Sequence, residues 1–89
     1  MNNDEILIGI NKVLSDLNKI EIEEIEVDEN LMEIGINSLD LIKVIINLEK
    51  YFNIKFDSNL LGVNNFNSIN KIISQIETSV KLWEIIKIT

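Results

Sequence analysis

The sequence predicts an all-α fold, a small four-helix bundle with three main helices, one short helix and a long ordered first loop. Three observations predict it. Apolar residues recur at spacings of three and four in three separate stretches, the signature of one buried helix face. Strand-like alternation is confined to one short stretch without a visible partner, and a lone strand is poorly stable. The chain has 89 residues, 46% of them hydrophobic, with no proline and three glycines, which bounds it to a single domain over residues 1–89 with one small core.

In "NDEILIGINKVLSDLNKI", Ile6, Leu7, Ile10, Val13, Leu14 and Leu17 repeat at helical spacing, with Asn3 or Asp4 placed to cap the start. Gly9 lies inside this helix and costs about 1 kcal/mol relative to alanine unless another element packs closely on it. The next stretch, "EIEEIEVDENLMEIG", alternates in part, but Glu23-Glu24 breaks the phase. It reads as a long loop pinned into the core by Ile22, Ile25, Val27, Leu31 and Ile34, with room for a helical turn.

From Ser38 to Phe52, "SLDLIKVIINLEKYF" reads as a second helix capped by Asn37 or Ser38, with Asp40 complementing the dipole in the first turn. On a helical wheel Asp40, Lys43, Asn47 and Lys50 form a polar stripe. Leu41, Ile42, Val44, Ile45, Leu48 and Phe52 form a broad inward face, and Leu39 and Ile46 fall outside it. Those two are either covered by the rest of the domain or open to a partner. "LLGVNNF" holds a short turn of helix, and Asn67 or Ser68 caps a last helix built on Ile69, Ile72, Ile73, Ile76 and Val80. The final nine residues, "KLWEIIKIT", extend that helix or form an apolar tail, in which Trp83 packs on the first helix or serves as a docking peptide.

Composition removes whole classes of function. The net charge of −7, without a basic cluster, speaks against nucleic-acid binding. The absence of cysteine and histidine removes thiolate chemistry, the common zinc sites and the Ser-His and Cys-His nucleophile pairs. The acidic loop is not a calcium loop, because Met32 stands at the third ligand position after Asp28 and Asn30. No paired carboxylates suggest an acid-base centre, so the chain reads as a non-enzyme. An acidic amino terminus and the lack of a membrane-length apolar run make it a cytoplasmic protein, expected to be monomeric.

Taken alone, "NSLD" is a helix cap with an acidic first-turn residue, worth about 1 kcal/mol. Its context says more. Read from Asn30 to Phe56, "NLMEIGINSLDLIKVIINLEKYFNIKF" resembles the phosphopantetheine-attachment region of the acyl and peptidyl carrier protein family. The likeness rests on Leu31, Glu33, Ile34 and Gly35, then Ser38-Leu39 opening a long helix that ends in Phe52. The order of helices extends it more weakly over nearly the whole chain.

The resemblance implies that Ser38 carries a covalent 4'-phosphopantetheine cofactor, added by a phosphopantetheinyl transferase. The serine then needs no activating histidine within the chain. A phosphodiester there would stand at a helix N-terminus, where backbone N–H groups favour negative charge. Starting at Met1 without a flanking linker, the chain reads as a discrete acyl carrier protein that tethers acyl or polyketide intermediates as thioesters. An acyl- or aminoacyl-loading enzyme and downstream synthase enzymes are the further partners, with no nucleic acid or membrane. A peptidyl or aminoacyl carrier of a nonribosomal peptide pathway is the alternative within the family. A cofactor-free acidic helical adaptor, with Ser38 merely a cap, is the alternative outside it.

Asn37 departs from the family's usual aspartate before the serine, and the second helix lacks the acidic stripe common in fatty-acid carriers. The expected docking residues are therefore Asn37, Leu39 and Ile46, with Asp40 at the rim.

Overall fold

Capping side chains and one apolar stripe per helix set the course of the chain. The computed structural model describes residues 2–18 and 25–88, and the side chains of all of these except Leu60 and residues 83–88. Among the described residues four helices are present, α1 (Asn3–Ser15), α2 (Ser38–Phe52), the single turn α3 (Val63–Phe66) and α4 (Ile69–Ile88), with 3-10 turns at Leu31–Ile34 and Ser58–Leu60. No strand occurs among the described residues. The fold is all-helical, as the periodicity predicts.

α1 begins one residue earlier than expected. Asn2, not Asn3 or Asp4, is the cap, because Asn2 keeps an extended backbone and its side-chain oxygen accepts from the Glu5 N–H at 2.8 Å. Ile6, Ile10, Val13 and Leu14 are buried, while Leu7 lies on the solvent edge of the stripe. At Gly9 the end of α2 packs closely on α1. A Cβ built there would lie 2.7 Å from Tyr51 Cε1 and 2.9 Å from Phe52 Cε2, so the glycine that weakens α1 is what lets the two helices meet.

The segment after α1 is held by backbone rather than by every apolar side chain. The Leu31 N–H donates to the Asn67 carbonyl at 2.8 Å and the Asn70 N–H to the Val27 carbonyl at 2.9 Å. The Asn70 side-chain amide also donates to the Asp28 carboxylate. Leu31 is fully buried, and Ile25 and Ile34 pack on the core. Val27 does not pin the loop with its side chain, which is exposed, since its carbonyl makes the attachment. Ile22 lies outside the described residues.

α2 buries Leu41, Val44, Ile45 and Leu48. It packs against α1 and α3, and α4 packs against α1 and α3. The expected inward face was one residue too wide, because Ile42 is 51% exposed. Asp40, expected in the polar stripe, is only 4% exposed. Past Phe52 the helix stops at Asn53 in the left-handed region, with the Ile54 N–H donating to the Glu49 carbonyl at 3.1 Å.

The rings of Phe56 and Phe66 meet edge to face at 5.0 Å and close the far side of the core. Ser68 then starts α4, its hydroxyl accepting from the Lys71 N–H at 3.2 Å. Ile69, Ile72 and Ile76 are buried, with Ile73 and Val80 packed at the margin. The Trp83 side chain lies outside those described. No helix among the described residues is long and apolar enough to cross a membrane.

Candidate functional site

The corner before α2 is shaped by three residues of different kinds. Gly35 ends the 3-10 turn at φ 108°, a conformation that side chains resist, and its N–H closes on the Leu31 carbonyl. Nothing lies within 4 Å of a Cβ built there, so the requirement is one of backbone conformation and not of space. Ile36 is fully buried and anchors the corner, with its N–H donating to the Leu31 carbonyl at 3.2 Å. Asn37 follows with extended backbone and caps α2.

Asn37 and Asp40 grip each other. The Asp40 N–H donates to Asn37 Oδ1 at 2.9 Å, and the Asn37 N–H donates to Asp40 Oδ2 at 3.1 Å. This reciprocal box satisfies a donor at each end of the first turn. It also accounts for the burial of Asp40, whose carboxylate is turned back onto its own helix start rather than out to solvent. The Leu41 N–H is taken by the Asn37 carbonyl at 3.0 Å. Among the described residues, the amides of Ser38 and Leu39 remain as the open donors of the first turn.

Ser38, the first helical residue, is exposed, and its hydroxyl makes no hydrogen bond among the described residues. Ser68 shows the contrasting arrangement, 6% exposed with its oxygen committed to capping. A serine whose only task is to cap looks like Ser68. At Ser38 that task belongs to Asn37, and the hydroxyl stands free for another molecule to reach.

A groove of about 480 Å³ starts at Ser38 and follows α2. Ile42, Ile45, Ile46 and Glu49 form one wall, and Leu61, Gly62 and Val63 the other. Eleven residues separate Ser38 from Glu49, a rise of about 16 Å. The lining is apolar except at its ends, Ser38 at one and Glu49 at the other. Leu39, beside the groove, is 69% exposed, and Ile46, on its wall, is 46% exposed. Ile42 joins them, and sequence reasoning missed it, although its place four residues after Ser38 and four before Ile46 was a usable signal.

The family described as phosphopantetheine attachment site matches residues 9–76, well over half of the chain. The chain belongs to the phosphopantetheine carrier family. No curated protein matches it.

Carrier proteins of this family hold 4'-phosphopantetheine covalently on a serine. The corner fits such a group. An exposed hydroxyl is available, the open amides of Ser38 and Leu39 are of the right sign for a phosphodiester, and an apolar groove begins beside them. When bound, the group supplies a flexible arm that ends in a thiol. Attached at this corner, the arm would start at the head of α2 and have the groove as a surface along which to lie.

Proposed function

We propose that Ser38 is the attachment serine and that the protein is an acyl carrier, tethering acyl or polyketide intermediates as thioesters and presenting them to separate enzymes. The observation that carries this reading is the free, exposed Ser38 hydroxyl at the start of α2, with its capping role filled by Asn37. Attachment forms a bond from Ser38 Oγ to the phosphorus of the phosphopantetheinyl group of coenzyme A. The hydroxyl proton is lost and the adenosine bisphosphate half leaves. All of that chemistry belongs to the transferase, so the carrier needs no base of its own and works as a non-catalytic protein of the cytoplasm.

The apolar lining of the groove favours an acyl cargo over a polar one, since burial of methylene groups contributes about 0.8 kcal/mol each. Enzymes dock on the strip of Leu39, Ile42 and Ile46 beside the serine, with Asn37 at its upper end. Asp40 serves this surface indirectly by holding Asn37 in place.

Intact mass after incubation with coenzyme A, magnesium and a broad-specificity phosphopantetheinyl transferase tests the assignment. One phosphopantetheinyl group on the parent and none on Ser38→Ala is expected. No gain with several transferases would return Ser38 to a mere surface residue of an adaptor.

A further inference from the structure

The charge on the outer face of α2 is opposite in sign to that of the whole molecule. The chain carries −7, yet the exposed charged side chains of α2 are Lys43 and Lys50. Of its two acids, Asp40 is buried in the capping box. Glu49 is half-buried, and its carboxylate accepts from the Phe56 N–H at 3.0 Å. Neither lysine makes an ion pair or hydrogen bond among the described residues, whereas Lys12 pairs with Asp16 at 3.2 Å. Lys43 follows Leu39 by four residues and Lys50 follows Ile46 by four. The two cations therefore line one edge of the apolar strip, about 10 Å apart along the helix.

We infer that the enzymes this carrier serves meet α2 with an apolar patch rimmed by carboxylates, rather than with a basic surface. This rests on the carrier reading of Ser38. The complement follows from the strip itself. Leu39, Ile42 and Ile46 supply the apolar contact, and unpaired lysines beside it attract acidic groups and repel basic ones, which sets encounter rate and partner choice more than final affinity. The remainder of the molecule, negative overall, adds to the choice of face, because it offers an acidic partner less attraction elsewhere.

Two phosphopantetheinyl transferases serve as probes, one with Asp and Glu and one with Lys and Arg around the entrance to its coenzyme A site. Transfer rates are followed by intact mass for the parent, for Lys43→Glu/Lys50→Glu and for Lys43→Gln/Lys50→Gln, at low salt and at high salt. The parent is expected to favour the acidic enzyme by about tenfold or more at low salt. The glutamate variant should reverse the preference, the glutamine variant should fall between, and high salt should level all three. Circular dichroism shows whether each variant remains folded, and the glutamine pair keeps the comparison open should the glutamates weaken the last turn of α2. Equal rates with both enzymes, or a ratio that ignores the lysines, would overturn the inference while leaving Ser38 as the attachment site. Failure of both enzymes to modify any form would overturn the carrier reading and this inference with it.

Discussion

Gly9→Ala places two physical effects in direct opposition. In a bare helix the substitution stabilises by about 1 kcal/mol, because alanine loses less backbone freedom. In this molecule the new methyl would sit inside contact distance of two rings, 2.7 Å from Tyr51 Cε1 and 2.9 Å from Phe52 Cε2, with Phe52 Cζ closer still. Tyr51 is half exposed and can swing away, but Phe52 packs against the core and must uncover part of its ring to yield. The two rings also meet edge to face at 4.9 Å, an arrangement worth about 0.5 to 1.5 kcal/mol that the shift would disturb. Overpacking of this kind costs about 1 to 3 kcal/mol.

The net expectation is a loss of about 1 to 2 kcal/mol, read as a fall in Tm of about 5 to 15 °C for a domain of this size. Thermal melts followed by far-ultraviolet circular dichroism measure it. Gly9→Ala introduced into Phe52→Leu should recover most of the helix-propensity gain, because the obstructing ring is gone. A single variant that melts higher than the parent would refute the reasoning and show that the rings part without cost. Gly9 faces the last turn of α2, far from Ser38, so the folded variant should accept phosphopantetheine at the parental rate.

Two further substitutions address the serine corner. Asp40→Ala removes the acceptor for the Asn37 N–H and an acid from the first turn, and should cost about 1 to 2 kcal/mol in urea denaturation, with slower modification of Ser38 as the turn frays. Asn37→Asp keeps a capping oxygen of equal quality, so stability should change by less than about 0.5 kcal/mol. The added charge should nevertheless raise the transfer rate with a magnesium-dependent transferase.

The parts of the fold that sequence made legible were those governed by local rules. Ile6, Ile10, Val13 and Leu14 declare α1 by spacing, and Ile69, Ile72 and Ile76 do the same for α4. Ser38 was singled out because Leu31, Glu33, Ile34 and Gly35 precede it in an order that resembles the family's, and the structure adds that its hydroxyl is exposed. What stayed hidden depended on neighbours. Ile42 is as apolar as Ile45, and only the placement of α1 and α3 decides that one is half exposed and the other buried. Asp40 has the residue type of a surface position, and its burial follows from a hydrogen bond that turns the side chain backward. Val27 contributes a carbonyl where a side chain was expected, since backbone donors and acceptors leave no trace in a hydropathy pattern.

The reciprocal bond between Asn37 and Asp40 has a bearing on how this protein could diversify. The hydrogen bonds that set the serine's bearing fall within one short stretch, from the Leu31 carbonyl, which takes the Gly35 and Ile36 amides, to the amide of Leu41. The residues that would choose cargo and clients, Ile42, Ile46, Leu61 and the two lysines, contribute nothing to that corner. The shape of the corner and the choice of clients are thus separable traits. Substitutions along the groove or the outer face can alter what is carried and to whom it is offered, while the tag that one enzyme must recognise keeps its shape.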